Sequence, residues 1–496
     1  MAASVETGID RIGQIASTAD RAAKVWARQP RAQRADALWA VADRLDAAAD
    51  VLIPIAMGES HLPEPRLRGE LARTTFQLRL FADVVDEGSY LDVRIDHADA
   101  QWPVAPRPDL RRMRVPFGAV VVFAASNFPF AFSVAGGDSA SALAAGCSVI
   151  LKAHPGHPDL SAATADVVQA ALAASGGPDG VFQVVFGDEA GRAALTNPLV
   201  KAAAFTGSIT GGRALFDLAA ARPEPIPFYA ELGSVNPVFV MRGSDTERGP
   251  ALADELVGSF TLGAGQFCTK PGVVLLPAAS NLLGALRERD LPAPAPLLNQ
   301  RITAGYLRGA LALREHSNVE VVAEGPDPLG DPPSPTILRT DVDALLADPQ
   351  LLFAECFGPT VLLVEYVDAR QLLDVARSME GQLTATLVAN ETETGLADLV
   401  ATLAGKVGRL LWNQWPTGVS VTYAQQHGGP YPATTAPGTT SVGTAAIDRF
   451  TRPVAYQNFP QALLPREVRD DTALPRRIDG RLIPADGWAV NAAAQP

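Results

Sequence analysis

The chain has 496 residues, too many for one compact core, so its length predicts two or three domains. Its 47% hydrophobic and 19% charged residues are typical of a soluble globular protein, and its net charge of −13 argues against a nucleic-acid partner, which needs a basic face. We expect a cytoplasmic protein without disulfides or membrane contact. The three cysteines show no pairing pattern, no apolar segment is long enough to cross a membrane, and the first residues lack the basic-then-apolar pattern of a signal peptide.

Helices are predicted for the first part of the chain. From Ile9 to about Glu87, apolar residues recur at three- and four-residue intervals, as in amphipathic helices. One such helix is predicted over 34–57 and another over 70–85. No chemistry is visible in these helices, and we expect them to serve as a cover. Residues 96–114 are rich in Pro, Arg and Asp, which predicts an exposed arm or hairpin.

Strands and helices alternate in the next segment. Continuous apolar runs are typical of buried parallel strands. The predicted strands cover 120–123, 147–152, 180–187 and 200–208, and a helix covers 161–174. This alternation predicts a parallel sheet with helices on both faces, the usual scaffold for a dinucleotide.

A second alternating block follows Glu231. Its predicted strands cover 237–241, 272–277, 360–367 and 385–390, with a helix over 251–263. From about Tyr431 the sequence is irregular and rich in Pro and Arg. Together with the arm over 96–114, this tail is expected to build a subunit contact.

Cys268 stands in an unusual place for a cysteine. The stretch LGAGQFCTKPG, 262–272, surrounds it with glycines, whereas Cys147 lies in an apolar run, as buried structural cysteines do. A Gly-rich loop lets backbone amides approach a substrate and face a developing negative charge, and a thiolate placed there is a nucleophile. The local sequence equally allows Cys268 to be a residue that only fills a loop.

Two further polar residues are candidates for chemistry. Glu231, in YAELGSVNP, lies among apolar residues, where desolvation would raise its pKa and suit it to act as a base. The alternative is an ordinary turn or capping carboxylate. Asn127 follows a predicted strand, at the edge where open α/β sheets bind ligands, and its amide suits an oxyanion. The alternative there is an Asn turn.

The cofactor signal is weaker because the chain lacks a G-x-G-x-x-G motif. Instead FTGSITGG follows a strand and opens a helix, so Gly207, Ser208 and Gly212 would let a pyrophosphate approach. Lys152 ends a strand and would either extend to solvent or hold a ribose or phosphate oxygen. The six histidines show no metal-site spacing, and prolines adjoin His154 and His157, so we expect no bound metal.

Six segments, in order along the chain, resemble motifs of the aldehyde dehydrogenase family: SNFPF, ILKAHP, FTGS, ELGSVNP, GQFCTKPG and ECFGP. Longer stretches, including GDSASALAAGCSVILKAHPGHP and HGGPYPATT, are similar to the α-ketoglutaric semialdehyde (2,5-dioxopentanoate) dehydrogenase branch. The resemblance implies an α/β fold with a Rossmann-like cofactor domain, an α/β catalytic domain and a small β oligomerisation element.

The same resemblance implies the roles of the site residues. Cys268 would attack the aldehyde, Asn127 and the Cys268 amide would hold the oxyanion, and Glu231 would activate the water that hydrolyses the thioester. Phe128 would line the substrate tunnel, whereas Phe130 and Phe132 suit the core at least as well. The residues expected to bind the cofactor are Lys152, His154, Gly187, Gly207, Ser208, Gly212, Leu232, Glu355 and Phe357.

The cofactor is expected to be NADP or NAD. Pro155 stands where NAD-preferring relatives often have an acid for the ribose hydroxyls, so we expect NADP to be accepted, with Lys152 and His154 near its 2′-phosphate. Ser234 replaces a glycine of many relatives, and a Lys that many of them have shortly after NFP is absent. No proton relay through that Lys is therefore expected.

The resulting domain assignment places the cofactor-binding domain at 1–95 and 115–231, the catalytic domain at 232–430, and the oligomerisation arm and tail at 96–114 and 431–496. The expected reaction oxidises α-ketoglutaric semialdehyde to 2-oxoglutarate. A broad medium- or long-chain aldehyde dehydrogenase and a non-catalytic binding protein on the same fold are the alternatives. The expected partners are the small aldehyde and further copies of the chain, as a homodimer or homotetramer.

Overall fold

A computed structural model of the chain describes residues 6–485. The α-helices are α1 (Ile9–Trp26), α2 (Arg31–Ala47), α3 (Ala49–Ser60), α4 (Glu64–Glu87), α5 (Gly137–Ala145), α6 (Pro158–Ala174), α7 (Asp188–Thr196), α8 (Ile209–Ala220), α9 (Arg242–Thr261), α10 (Asn281–Leu286), α11 (Gln300–Glu315), α12 (Val342–Ala347), α13 (Pro349–Leu352), α14 (Ala369–Ser378) and α15 (Leu396–Ala404). None of the helices in this part of the chain has the length and apolar character needed to span a membrane.

The strands form three sheets. They are β1 (Val93–Asp96), β2 (Leu110–Pro116), β3 (Ala119–Phe123), β4 (Ser148–Lys152), β5 (Phe182–Val185), β6 (Val200–Thr206), β7 (Phe228–Glu231), β8 (Val238–Val240), β9 (Val273–Pro277), β10 (Glu320–Glu324), β11 (Thr336–Asp341), β12 (Thr360–Tyr366), β13 (Gln382–Val388), β14 (Val407–Trp412), β15 (Thr451–Gln457), β16 (Arg476–Ile478) and β17 (Arg481–Ile483).

The first sheet has the strand order β5-β4-β3-β6-β7, with every pair parallel, as the alternation predicted. Every residue of β3 and β4 is buried. Val120 and Val122 pack into one hydrophobic core with α2, α4, α5 and α6, while Val121 and Phe123 face the other core with α1, α7 and α8. Burial on both faces explains the continuous apolar run.

The second sheet has the order β10-β11-β12-β9-β8-β13-β14. All its pairs are parallel except that β10 runs antiparallel to β11. Two hydrophobic cores cover its faces, one containing Phe239 and Leu275 and the other Val238 and Val274. Both parallel sheets therefore present the carboxyl ends of their strands, where ligands bind in open α/β sheets.

The third sheet joins the arm to the tail in the order β15-β2-β1-β16-β17. The segment 96–114 begins on β1 and returns on β2 as an antiparallel hairpin, closed by a bridge between Asp99 and Arg107. The stretch after Tyr431, expected to be irregular, thus supplies three strands of this sheet. The last residues of the predicted tail, 486–496, lie outside the described residues.

The N-terminal cover differs from the prediction in one respect. The helix expected over 34–57 is two helices, because Ala48 leaves the helical conformation with φ −90° and ψ 2° between α2 and α3. Alanine-rich sequence contains no capping residue that would reveal such a break, so periodicity alone could not locate it.

Candidate active site

The loop around Cys268 is held in an unusual backbone conformation. Gly263, Ala264 and Gly265 follow α9 with φ of 57°, 55° and 70°. A Cβ on Gly265 would lie 2.2 Å from the carbonyl oxygen of Gly358, so only glycine permits this close approach. The loop ends with Cys268 half-buried, whereas Cys147 and Cys356 are buried.

Two buried polar side chains fix the backbone on either side of Cys268. The Asn236 amide donates to the carbonyl oxygens of Cys268 at 2.8 Å and Lys270 at 2.9 Å. The Lys270 ammonium donates to the carbonyl oxygens of Cys356 at 2.8 Å and Thr360 at 2.7 Å. These bonds tie the Cys268 loop to β8 and to the loop before β12, which orients the thiol.

Glu231, at the end of β7, lies beside Cys268 together with a histidine that the sequence did not single out. His427 Nε2 is 2.8 Å from Glu231 Oε1 and 3.5 Å from Cys268 Sγ. Ser441 donates its hydroxyl hydrogen to Glu231 Oε2 at 2.5 Å. Because the carboxylate only accepts hydrogen bonds, we place the Nε2 hydrogen of His427 towards Glu231. The three side chains form a connected acid–base cluster.

The charge states of this cluster differ from the expectation. Burial raises the pKa of Glu231, but the His427 ring, Ser441 and Cys268 lower it more, so its pKa lies below the usual value. The predicted raised pKa is therefore wrong, because hydrogen bonds to the charged form outweigh desolvation. Burial and the Glu231 carboxylate hold the pKa of Cys268 well above its usual value, while Arg409 opposes them. The thiol is protonated next to an ionised base.

Sulfur, nitrogen and carboxylate ligand atoms of Cys268, His427 and Glu231 all lie within 4.8 Å of one another. Such a group is able to hold a metal ion, a possibility that spacing in the sequence did not indicate. The hydrogen bonds within the cluster account for the same contacts.

Asn127 adjoins the nucleophile loop from the first sheet. Its amide nitrogen donates to the carbonyl oxygen of Gln266 at 3.2 Å. Gln266 in turn accepts a hydrogen bond from the Leu298 amide at 2.9 Å and donates to Gly263. This explains why a glutamine stands beside the cysteine, and it places the Asn127 amide where it can also face an oxyanion near Cys268.

Lys152 ends β4 and His154 follows it, while Gly187 follows β5. These strands lie three and four positions from β7 along the same carboxyl edge. The Lys152 ammonium pairs with Asp188 at 2.6 Å, and Asp188 also lies 3.7 Å from Arg301. Burial lowers the pKa of His154 to about 3, so its ring is neutral at physiological pH. A 2′-phosphate bound beside His154 would therefore meet a neutral hydrogen-bonding ring and not a positive charge.

The segment expected to bind phosphates opens α8. Gly207 and Ser208 are exposed before the helix, and the Ser208 hydroxyl caps it by accepting from the Gly211 amide at 3.2 Å. A Cβ on Gly212 would lie 2.2 Å from Leu232 Cδ2, so glycine is required where α8 packs on the end of β7. The Thr206 hydroxyl is buried and has no partner among the described residues. This donor set at a helix N-terminus fits a pyrophosphate.

Glu355 and Phe357 lie in the loop before β12 and approach the same edge from the second sheet. Burial raises the pKa of Glu355 to about 7, while Lys270 and the Ser234 amide oppose the rise. A Cβ on Gly233 would lie 2.4 Å from Glu355 Oε2, so glycine lets this carboxylate approach the end of β7. Phe357 is half-buried. Both positions would suit the nicotinamide riboside of a bound cofactor.

Phe267, directly before Cys268 in the chain, belongs to a group of packed aromatic rings. Phe128 lies 5.2 Å from Phe267 and 5.4 Å from Phe132, centroid to centroid. Phe130, for which tunnel and core were both open, is buried in the main core. Two arginines of α4, Arg66 and Arg73, stand over these rings.

Sequence reasoning thus missed several residues of the site. His427 lies in the segment QHGGPYPATT, where the only signal is a histidine next to two glycines. Asn236 lies in the segment ELGSVNP, where attention went to Glu231, and Ser441 gives no local signal. The expectation that the N-terminal helices are only a cover is wrong, since Arg66 and Arg73 of α4 face the aromatic lining of the site.

Comparisons with known proteins agree with this geometry. The model of the Aldehyde dehydrogenase family matches residues 3–282. The Alpha-ketoglutaric semialdehyde dehydrogenase of Acinetobacter baylyi is 43% identical over 482 residues, 96% of this chain and 92% of the relative. The Alpha-ketoglutaric semialdehyde dehydrogenase 2 of Azospirillum brasilense is 45% identical over 464 residues, 91% and 88% of the two chains. The predicted resemblance is confirmed.

The fold has solved counterparts. The NAD⁺ complex of an aldehyde dehydrogenase from Bacillus cereus superposes with a TM-score of 0.76 at 20% identity, covering 91% of this chain and 89% of that one. The predicted fold class is confirmed. With the family model covering more than half of the chain and two relatives aligned over nearly all of it, the chain belongs to the aldehyde dehydrogenase family.

Proposed function

We propose that the chain oxidises α-ketoglutaric semialdehyde to 2-oxoglutarate with NAD or NADP, through a thiohemiacetal and a thioester on Cys268. The observation that carries the proposal is the contact of Cys268 and Glu231 with His427, at 3.5 and 2.8 Å, at the carboxyl edge of the first sheet. The substrate follows the printed names of the two relatives at 43% and 45% identity.

The first stage makes the carbon–sulfur bond. The thiol of Cys268 passes its proton to ionised Glu231, the sulfur attacks the aldehyde carbon, and the carbonyl oxygen becomes an oxyanion. The Asn127 amide and the Cys268 backbone N–H hold that oxyanion. The His427 Nε2 hydrogen, shared between Glu231 and the sulfur, stabilises the thiolate as it forms. NAD or NADP, when bound, supplies the hydride acceptor that turns the thiohemiacetal into a thioester.

The second stage breaks that bond with water. Glu231 first releases to solvent the proton that it took from Cys268. The ionised carboxylate then takes a proton from the water as its oxygen attacks the thioester carbon, and it passes that proton to the sulfur as the carbon–sulfur bond breaks, which gives the acid and restores the thiol. Ser441 and His427 orient the carboxylate for this step. A hydrolytic base beside the thiol favours a free acid as product over acyl transfer to a second thiol.

The cofactor would be held by Lys152, Gly207, Ser208, Gly212 and Glu355, with His154, Gly187, Leu232 and Phe357 beside them. The exposed N-terminus of α8 suits the pyrophosphate, and Glu355 suits ribose hydroxyls. Asp188 pairs with Lys152 and so neutralises the charge that would favour a 2′-phosphate. The proposal therefore includes both NAD and NADP.

A second candidate function is oxidation of medium- or long-chain aldehydes, which the contiguous rings of Phe128, Phe132 and Phe267 favour. The deciding experiment follows NAD(P)H formation with α-ketoglutaric semialdehyde and with straight-chain aldehydes, using each cofactor in turn. Preference for the keto acid supports the first proposal, and preference for the straight chain supports the second. Full activity of Cys268→Ala would overturn both.

We also propose a homodimer or homotetramer in the cytoplasm. The outer strand β15 exposes four of its seven residues, and Leu482 on β17 is 66% exposed, so the third sheet has edges suited to a second copy. The reaction requires Cys268 as a free thiol, which a reducing compartment preserves. Light scattering of the purified protein measures the oligomeric state, and a monomer would contradict this assignment.

A further inference from the structure

Helix α4 presents two arginines and a glutamate to the site. Arg66, Glu70 and Arg73 are spaced four and three residues apart, which places them on one face of the helix. Arg66 lies over the rings of Phe128 at 4.4 Å and Phe267 at 4.6 Å. These rings follow Asn127 and precede Cys268 directly in the chain, so the charge of α4 stands beside the reacting groups.

The glutamate of this face is already engaged. Glu70 Oε1 accepts hydrogen bonds from the amides of Phe130 at 2.8 Å and Ala131 at 3.0 Å, and Oε2 lies 3.4 Å from Arg66. One buried carboxylate therefore faces two guanidinium groups. Arg66, Glu70 and Arg73 together therefore give this face of α4 a net positive charge.

Arg73 is the less satisfied of the two arginines. Its guanidinium carbon lies 5.5 Å from the Phe132 ring centre, and its Nη1 is buried without a hydrogen-bond partner among the described residues. A buried N–H group without a partner is costly, especially on a charged side chain. The ring beneath it, Phe132, packs on Phe128, which in turn packs on Phe267, the residue before Cys268. Burial lowers the pKa of Arg73, and the negative charges of Glu70, Cys268 and Glu231 oppose that change.

We infer that Arg73, with Arg66 beside it, binds the carboxylate of an α-keto acid aldehyde while the aldehyde group of the same molecule reacts with Cys268. This inference rests on the proposed function. In the five-carbon substrate, four C–C bonds of about 1.5 Å separate the aldehyde carbon from the carboxylate carbon and span about 5 Å. An Arg side chain suits this task because its planar fork pairs with both carboxylate oxygens.

Arg409, the other arginine whose charge reaches Cys268, is already occupied. Its Nη atoms donate to the carbonyl oxygens of Pro416 at 2.9 Å and Gly418 at 3.1 Å, and so they order the loop after β14. The Gly418 amide then donates to Thr269, next to Cys268. Arg409 therefore positions the nucleophile loop. Its Nε is also buried without a partner among the described residues, but both of its Nη atoms are engaged, whereas Nη1 of Arg73 is not.

The test compares Arg73→Ala and Arg73→Lys with Arg68→Ala, a matched control on the exposed side of α4, where Arg68 pairs with Asp50 and Glu64. For Arg73→Ala we expect kcat/KM for α-ketoglutaric semialdehyde to fall about 10- to 100-fold relative to that for pentanal, mainly through KM. For Arg73→Lys the ratio of kcat/KM for the two substrates should lie between the values of the unmodified protein and Arg73→Ala, since the point charge of lysine replaces the planar fork of arginine. An unchanged ratio of the two substrates in both variants would overturn the inference.

A binding measurement tests the carboxylate site independently of the substrate assignment. Glutarate, a five-carbon dicarboxylate without an aldehyde, should protect Cys268 from alkylation by iodoacetamide in the unmodified protein and in Arg68→Ala, and much less in Arg73→Lys. If the protein prefers pentanal yet shows this pattern of protection, the carboxylate site stands and the substrate assignment fails. Equal protection in all variants, or none, would refute the site.

Discussion

Replacing His427 with Leu removes the donor that links the base to the nucleophile. In the folded protein His427 is fully buried, with Nε2 at 2.8 Å from Glu231 and 3.5 Å from Cys268. Leucine fills a similar volume without a hydrogen-bonding atom. Glu231 then keeps the Ser441 hydroxyl at Oε2 and the Cys268 thiol as side-chain donors.

The size of the effect follows from that bond. A hydrogen bond to a charged group contributes about 1.5–3 kcal/mol, so a transition state that needs it should slow about 10- to 100-fold in kcat. His427 is the largest cause that lowers the pKa of Glu231, against burial, which raises it. Without His427 the pKa of Glu231 moves up, and since the base works when ionised, the acid limb of the kcat profile moves to higher pH.

Stopped-flow measurement of NAD(P)H formation, followed by steady-state profiles from pH 5 to 9, reads both effects. His427→Gln is the rescue variant, because its amide nitrogen reaches about the same place as Nε2 and donates to Glu231. His157→Gln is the control: that histidine is also buried but bonds to Ala125 and Ser161. A His427→Leu protein with the kcat and acid limb of the unmodified protein, and normal cofactor binding, would refute this reasoning.

Three further outcomes are expected. Asn236→Ala leaves the carbonyls of Cys268 and Lys270 without their donor, so the melting temperature should fall by about 2–4 °C and kcat/KM should drop. An unchanged melting temperature in calorimetry would contradict the role of Asn236. Because the pKa of Glu355 is about 7, cofactor Kd measured by fluorescence titration should rise as pH falls below 7, and Glu355→Gln should abolish that dependence. Asp188→Ala removes the partner of Lys152 and Arg301 and leaves both cations for a 2′-phosphate. The ratio of kcat/KM for NADP to that for NAD should therefore rise several-fold, and a fall in this ratio would contradict the role given to Asp188.

Part of the fold could be predicted because local sequence fixes it. The runs at 120–123 and 149–151 are apolar on every residue, as expected for strands that are buried on both faces. The break at Ala48 could not be predicted, because alanine has a high helix propensity on both sides of it. The strands after Tyr431 escaped prediction because their partners, β1 and β2, lie more than 300 residues earlier in the chain.

What the sequence by itself determined is the set of residues that local motifs mark: Cys268 among glycines, Glu231 before Leu-Gly, Asn127 after a buried strand, and the family to which they belong. What only the tertiary structure decided is how their charges are set. His427 reaches Glu231 across 196 positions of sequence, and Arg73 approaches from a helix that looked like a cover. The protonation state of a side chain depends on its burial and on its neighbours in space, and the spacing of residues along the chain does not determine either of these.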